Sequence, residues 1–212
     1  LGSPKPVIEV VQDYGGIVIA DVISLRLAEK AAQAGADGLA CICAGAGGHT
    51  GHLSPFAFVG AVREFFKGHV IVGGGISDGF GVAGAIACGA DLVYMGTRFI
   101  PTKESLAEQD YKDMLVAATS EDLLVSSSIT GSNASWLKPS LRANGLDPDN
   151  LPDAPERSYD SNKTIGARKW KDVWAAGQGV GAIKAVESVA DVVDRLEIEW
   201  QAARTRFKEY SI

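Results

Sequence analysis

Three short stretches of this chain combine residue types that could do chemistry. The first is Cys43-Ala44-Gly45-Ala46-Gly47-Gly48-His49-Thr50-Gly51, where a histidine stands between glycines. Little bulk blocks access to His49, and an imidazole needs little tuning to take a proton near neutral pH. His52 is the second choice for the same work. His69, just before an apolar run, reads as structural. The second stretch is Gly73-Gly74-Gly75 followed by Ile76-Ser77-Asp78-Gly79, and the third is Gly96-Thr97. Glycines let backbone N–H groups come close to an anion, Thr97 adds a hydroxyl, and Asp78 reads as the cap of a helix that starts just behind. The alternative is that the glycines only allow tight turns, but one glycine would suffice for that. Gln178, in a glycine-rich turn, is a polar group of open role. Cys41 and Cys43 lie two apart, on one face of a strand, but no third or fourth ligand stands near them, so no metal site is expected.

These stretches sit at the ends of a repeating pattern. A helix near Pro6 ends at Gly15-Gly16, and Ile17 to Ala20 reads as a strand buried on both faces. Ser24 caps the next helix, which Gly35 closes. A strand follows at Gly38–Cys43, then a glycine-rich loop over 44–52, a helix from Pro55 to Phe66 and a strand from His69 to Val72. A helix over 79–88 and a strand from Leu92 to Met95 complete the series. Gly35-Ala36-Asp37 and Gly89-Ala90-Asp91 repeat one signature before two of the strands. Alternating strands and helices make a parallel sheet with right-handed crossovers. In such folds the chemistry lies at the carboxyl ends of the strands, and two adjacent loops late in a (β/α) barrel recurrently hold phosphate. Gly75 and Gly96 are 21 positions apart, one helix plus one strand, so their loops are neighbours. The glycine pattern is not the G-x-G-x-x-G of dinucleotide folds.

The expected fold class is α/β, of the (β/α)8 TIM-barrel type, with only four parallel strands: about the second half of a barrel. Three regions are expected. Residues 1–100 form the half-barrel, and 101–169 form a polar, proline-bearing lid with one helix near 111–118 and no clear period over 126–139, where Trp136 is packed. Residues 170–212 return to the barrel through an amphipathic helix bearing Val186, Val189, Val193, Leu196, Trp200, Ala203 and Phe207. That helix packs on the barrel wall or, alternatively, makes a homodimer contact. The amino end, Leu1-Gly2-Ser3-Pro4, reads as a strand-exit turn, so numbering is expected to start inside a longer protein.

Composition narrows the function classes. The 212 residues are 46% hydrophobic and 22% charged, which is globular rather than disordered. A net charge of -6 argues against nucleic acid as a partner. No apolar stretch approaches the ~20 residues of a membrane span. Three cysteines in apolar surroundings suggest buried thiols in a reducing, cytoplasmic compartment. The patterns Asn133-Ala134-Ser135 and Asn162-Lys163-Thr164 match the glycosylation acceptor by chance in that setting.

Taken in order, CAGAGGHTG at 43–51, GGGISDG at 73–79, GADLVYMGTRF at 89–99 and AGQGVG at 176–181 resemble the nitronate monooxygenase family, formerly the 2-nitropropane dioxygenases. The resemblance runs over nearly the whole chain, as the C-terminal two-thirds of such a protein. It implies a TIM barrel that binds FMN non-covalently and oxidises alkyl nitronates or nitroalkanes, small molecules, with O2. By resemblance His49 matches the catalytic histidine. Gly74, Gly75, Gly96 and Thr97 match the FMN-phosphate loops, Gly47 the loop near the flavin ring, and Gln178 a further flavin contact. The family carries four more strands, with flavin contacts of their own, ahead of the Gly2-Ser3-Pro4 turn. Two rival functions remain: an FMN-dependent enoyl-acyl-carrier-protein reductase or NAD(P)H:quinone reductase on the same barrel, and a non-catalytic barrel that binds a phosphorylated ligand.

Overall fold

A computed structural model describes residues 3–154 and 171–210; the 162–164 acceptor pattern and part of the expected lid lie outside the described residues. The first elements alternate as expected: α1 (Lys5–Asp13), β1 (Ile19–Val22), α2 (Leu25–Gln33), β2 (Gly38–Ile42) and, after an intervening strand β3 (Gly48–His49), α3 (Pro55–Phe65). Then come β4 (His69–Gly73), α4 (Gly79–Ala87) and β5 (Leu92–Tyr94). Strands β1, β2, β4 and β5 form one parallel sheet in that order. Local chemistry sets the helix starts: the Ser24, Ser54 and Asp78 side chains accept from Leu27, Ala57 and Gly81 N–H groups. Four parallel strands with helical crossovers make a partial (β/α) barrel.

The two Gly-Ala-Asp signatures do the same job. Asp37 accepts the Val18 N–H at 2.7 Å, and Asp91 accepts the Val70 N–H at 2.8 Å. Each aspartate thus ties its own strand to the amino end of a neighbour. This explains a correction: β1 starts at Ile19, not Ile17. Asp37 engages Val18 through both amide and carbonyl, so side-by-side pairing begins only at Ile19 opposite Gly38.

One face of the sheet is covered throughout, whereas the other is covered only at its central strands, where Ala40 and Ile71 are buried. Val22, Leu39, Cys41, Val70 and Val72 pack under α2 and α3 with Phe58, Val59 and Val62, all nearly inaccessible. Residues paired across the other face include Ile19, Leu92 and Tyr94, which are 43%, 54% and 56% exposed. The expectation that the first strand is buried on both faces is therefore wrong: Ala20 and Val22 are buried while Ile19 and Asp21 are not. Cys41 and Cys43 are buried, whereas Cys88 is only half-buried at the end of α4.

Residues 101–154 hold more order than the sequence suggests. After α5 (Gln109–Ala117) come β6 (Leu123–Ser126), β7 (Ala134–Leu137) and α6 (Lys138–Ala143). Strands β3, β7 and β6 form a second, antiparallel sheet. The expected loop at 44–52 therefore contains a strand, and the stretch 126–139 another. The two-residue β3 is too short to show a period, and β7 shows none because it is buried on both faces, with Trp136 and Leu137 fully covered. Last comes α7 (Val189–Glu209), opened by a reciprocal cap between Ser188 and Asp191. It packs on α4 through a seam in which Val192 and Ala203 are buried; Val193 and Phe207, expected on that face, are about half exposed. Among the described residues no helix is long and apolar enough to cross a membrane.

Candidate active site

The loops leaving the carboxyl ends of β2, β4 and β5 meet a fourth segment, 175–179. Hydrogen bonds from several neighbouring elements hold that segment. Ser135 Oγ donates to the Ala176 carbonyl at 2.7 Å, the Gly177 N–H donates to Thr97 Oγ1 at 2.9 Å, and the Gln178 N–H donates to the Gly45 carbonyl at 2.9 Å. The backbones approach so closely that side chains would not fit. A Cβ on Gly47 would lie 2.6 Å from the Gly177 nitrogen, and one on Gly177 would lie 2.7 Å from the Gly45 carbonyl oxygen. Glycine is required here for close approach rather than for turning.

His49 is placed by its neighbours. It lies in β3 opposite Ala134, and Gly48 lies opposite Ser135. The next residue, Thr50, is buried, donates its N–H to the Asn133 carbonyl and its hydroxyl to the Cys43 carbonyl at 3.1 Å. The half-buried His49 backbone is thus pinned on both sides by strand β7 and by the base of its own loop. His52 is exposed in a bend, and His69 is exposed at the opposite, amino end of β4.

Gly74 and Gly75 adopt φ of +135° and +71°, which a side chain strains to reach. In front of Gly75 and Gly96 there is open space: a Cβ on Gly96 would meet nothing within 4 Å, and one on Gly75 would meet only Gln178 Cβ at 3.9 Å. Among the described residues the Gly75, Gly96 and Thr97 amides donate to no other backbone group. Together they form a shallow cradle of free N–H groups. The Gln178 side chain lies against the same wall, its Oε1 2.8 Å from where a Gly45 Cβ would be.

The helix behind the glycine run is capped by Asp78 as expected, and two of its first amides are already taken within this chain. In α4 the Gly81 N–H is taken by Asp78 at 2.7 Å and the Gly79 N–H by Glu199 of α7 at 2.8 Å, so two carboxylates of this chain already face that dipole. Glu199 reaches it because Gly79 sits where a Cβ would lie 2.3 Å from the Leu196 carbonyl oxygen.

Sequence reasoning also missed Gly45, Gly177 and Ser135, which assemble the site. Gly45 and Gly177 carry only the signal of glycine richness. Ser135 could have been reached through the aliphatic run Leu123-Leu124-Val125, whose length fits a strand needing a partner. Burial makes the nearby thiols inert: it pushes Cys41 up to about 11 and Cys43 up to about 12. Among the described residues no cluster of His, Cys, Asp and Glu could hold a metal ion.

A partial parallel barrel with a cradle of backbone amides and a histidine loop at its carboxyl end defines a class of protein that comparison makes specific. The family model for nitronate monooxygenase matches residues 1–199, and the chain belongs to that family. It is 27% identical to a nitronate monooxygenase of Paraburkholderia phytofirmans over 92% of this chain and 57% of that protein. It is 29% identical to one of Pseudomonas aeruginosa over 92% of this chain and 60% of that protein. The chain therefore spans somewhat over half the length of these relatives. Among solved structures it resembles nitroalkane oxidase from Streptomyces ansochromogenes, at 26% identity and a TM-score of 0.80 over 96% of this chain and 62% of that one. FabK from Thermotoga maritima is similar at 28% identity and a TM-score of 0.78, over 100% of this chain and 69% of that one.

Proposed function

We propose that this protein is an FMN-dependent oxidoreductase that oxidises alkyl nitronates and nitroalkanes with O2, with His49 as its base. The observation that carries this reading is the convergence of the histidine loop with the cradle of Gly74, Gly75, Gly96 and Thr97. A phosphate monoester fits that cradle: open space lies in front of Gly75 and Gly96, and the free amides line it. Gln178 and Gly47, on the 175–179 segment and the β2 loop, would border the rest of the cofactor. When bound, the flavin supplies the electron transfer that no side chain here can perform. The protein's share is to bind, orient and move one proton. His49 takes the α-proton of a nitroalkane, leaving the nitronate anion, and the pinned β3 backbone keeps the imidazole in reach.

Replacing His49 by Asn in the full-length protein tests this. Turnover of the nitroalkane should fall by about 10²–10⁴, the usual contribution of a positioned base, while pre-formed nitronate, which needs no proton removed, should suffer far less. Equal losses on both substrates would refute the role of base.

The likeness to FabK supports a second reading, an enoyl-acyl-carrier-protein or quinone reductase on the same scaffold. NAD(P)H oxidation that depends on an enoyl thioester would favour it. Anaerobic bleaching of the flavin by nitronate would favour the first and would exclude a barrel that only binds a phosphorylated ligand.

A further inference from the structure

Arg98 is 3% exposed and lies inside the 3-10 turn Thr97–Phe99, directly after the cradle. Its Nη2 donates to Glu187 at 2.9 Å, while its Nη1 is buried and has no hydrogen-bond partner among the described residues. Glu187 is held independently. Its carboxylate also pairs with Arg195, its carbonyl accepts the Lys103 N–H at 2.8 Å, and its backbone bridges to Thr102, whose hydroxyl donates to the Phe99 carbonyl. Glu187 stands just ahead of the Ser188 cap of α7, so it is a fixed post.

A buried guanidinium with one unsatisfied nitrogen is a poor stabiliser, and an apolar side chain of similar size would fill the space without leaving a donor unpaired. What Arg98 adds is direction, because its charged hydrogen bond to the fixed Glu187 carboxylate sets the angle of the turn that carries it. The side chain is covered by protein on all sides, so it does not touch a ligand in the cradle and acts only through the turn.

We propose that Arg98 is a positioning residue for phosphate recognition: its ion pair with Glu187 locks the Thr97–Phe99 turn so that the Gly96 and Thr97 amides face the anion. This rests on the reading that the cradle holds the FMN phosphate. Free FMN and riboflavin, which lacks the phosphate, separate the two claims. The full-length apoprotein is titrated with each by flavin fluorescence, as the parent and as Arg98→Met, Arg98→Lys and Glu187→Gln.

The parent should bind FMN more tightly than riboflavin. Arg98→Met and Glu187→Gln should bind FMN about tenfold more weakly, on the scale of one hydrogen bond, with riboflavin affinity unchanged. Arg98→Lys should recover most of the loss. If Arg98→Met does not fold, Glu187→Gln alone decides, since it keeps Arg98 in place beside a neutral partner. FMN affinity equal to the parent's, or a matching loss for riboflavin, overturns the positioning role while leaving the cradle intact. A parent that does not prefer FMN overturns the phosphate reading and this inference with it.

Discussion

Thr97 joins the two halves of the site, and its replacement separates them. Its hydroxyl accepts the Gly177 N–H at 2.9 Å, which leaves one proton to donate toward a ligand. In Thr97→Val both are lost at nearly unchanged shape. Gly177 is buried, and it cannot slide to find another partner, because the Gly45 carbonyl and the Gly47 nitrogen lie 2.7 and 2.9 Å from its would-be Cβ. The orphaned N–H should therefore cost about 1–3 kcal/mol. For a chain of this size that lowers the melting temperature by about 2–12 °C, at roughly 2–4 °C per kcal/mol. The lost donor should weaken FMN by a further ~0.5–1.5 kcal/mol. Calorimetry of the full-length apoprotein reads the first effect, and FMN titration reads the second. Thr97→Ser should restore both. An apoprotein of Thr97→Val that melts with the parent would refute the structural role, and the hydroxyl would then serve the ligand alone.

Gly96 offers a cleaner probe of the cradle, since its φ of -105° and open surroundings tolerate a side chain: Gly96→Val should melt as the parent does yet lose flavin on dialysis. Gly75→Val should lose flavin and also stability, because its φ of +71° resists a β-branched residue. Hydrogen bonding to the Val70 N–H, then the Arg63 guanidinium, holds the Asp91 carboxyl below its ordinary value of 3.8. The folded state therefore binds that proton less readily than the unfolded chain. This stabilisation is full above pH ~4 and is lost as pH falls through the lowered value. Asp91→Asn should melt lower at neutral pH and lose less on acidification, as thermal scans from pH 7 to 3 would show. Of Cys41, Cys43 and Cys88, a thiol reagent at pH 8 should reach only Cys88 in the folded protein, with Cys41 and Cys43 reacting after denaturation.

The parallel sheet was legible because each of its signals is local. Ser24, Ser54 and Asp78 cap helices through groups three residues away, and each Gly-Ala-Asp signature fixes a strand start with its own side chain. The places of His49, Gly75 and Gly96 at strand ends follow from that alternation. The second sheet was not legible, since β3 has two residues and exists only because Asn133 to Ser135 return to meet it. A strand buried on both faces shows no alternation either. The use of α4's N-terminus was also invisible: Glu199 lies 120 positions from Gly79. The sequence by itself determined that the glycine runs and His49 fall just after the strands of the parallel sheet. Tertiary structure alone decided which donors are already committed, because a hydrogen bond between distant segments depends on where packing brings them, and sequence spacing carries no record of that.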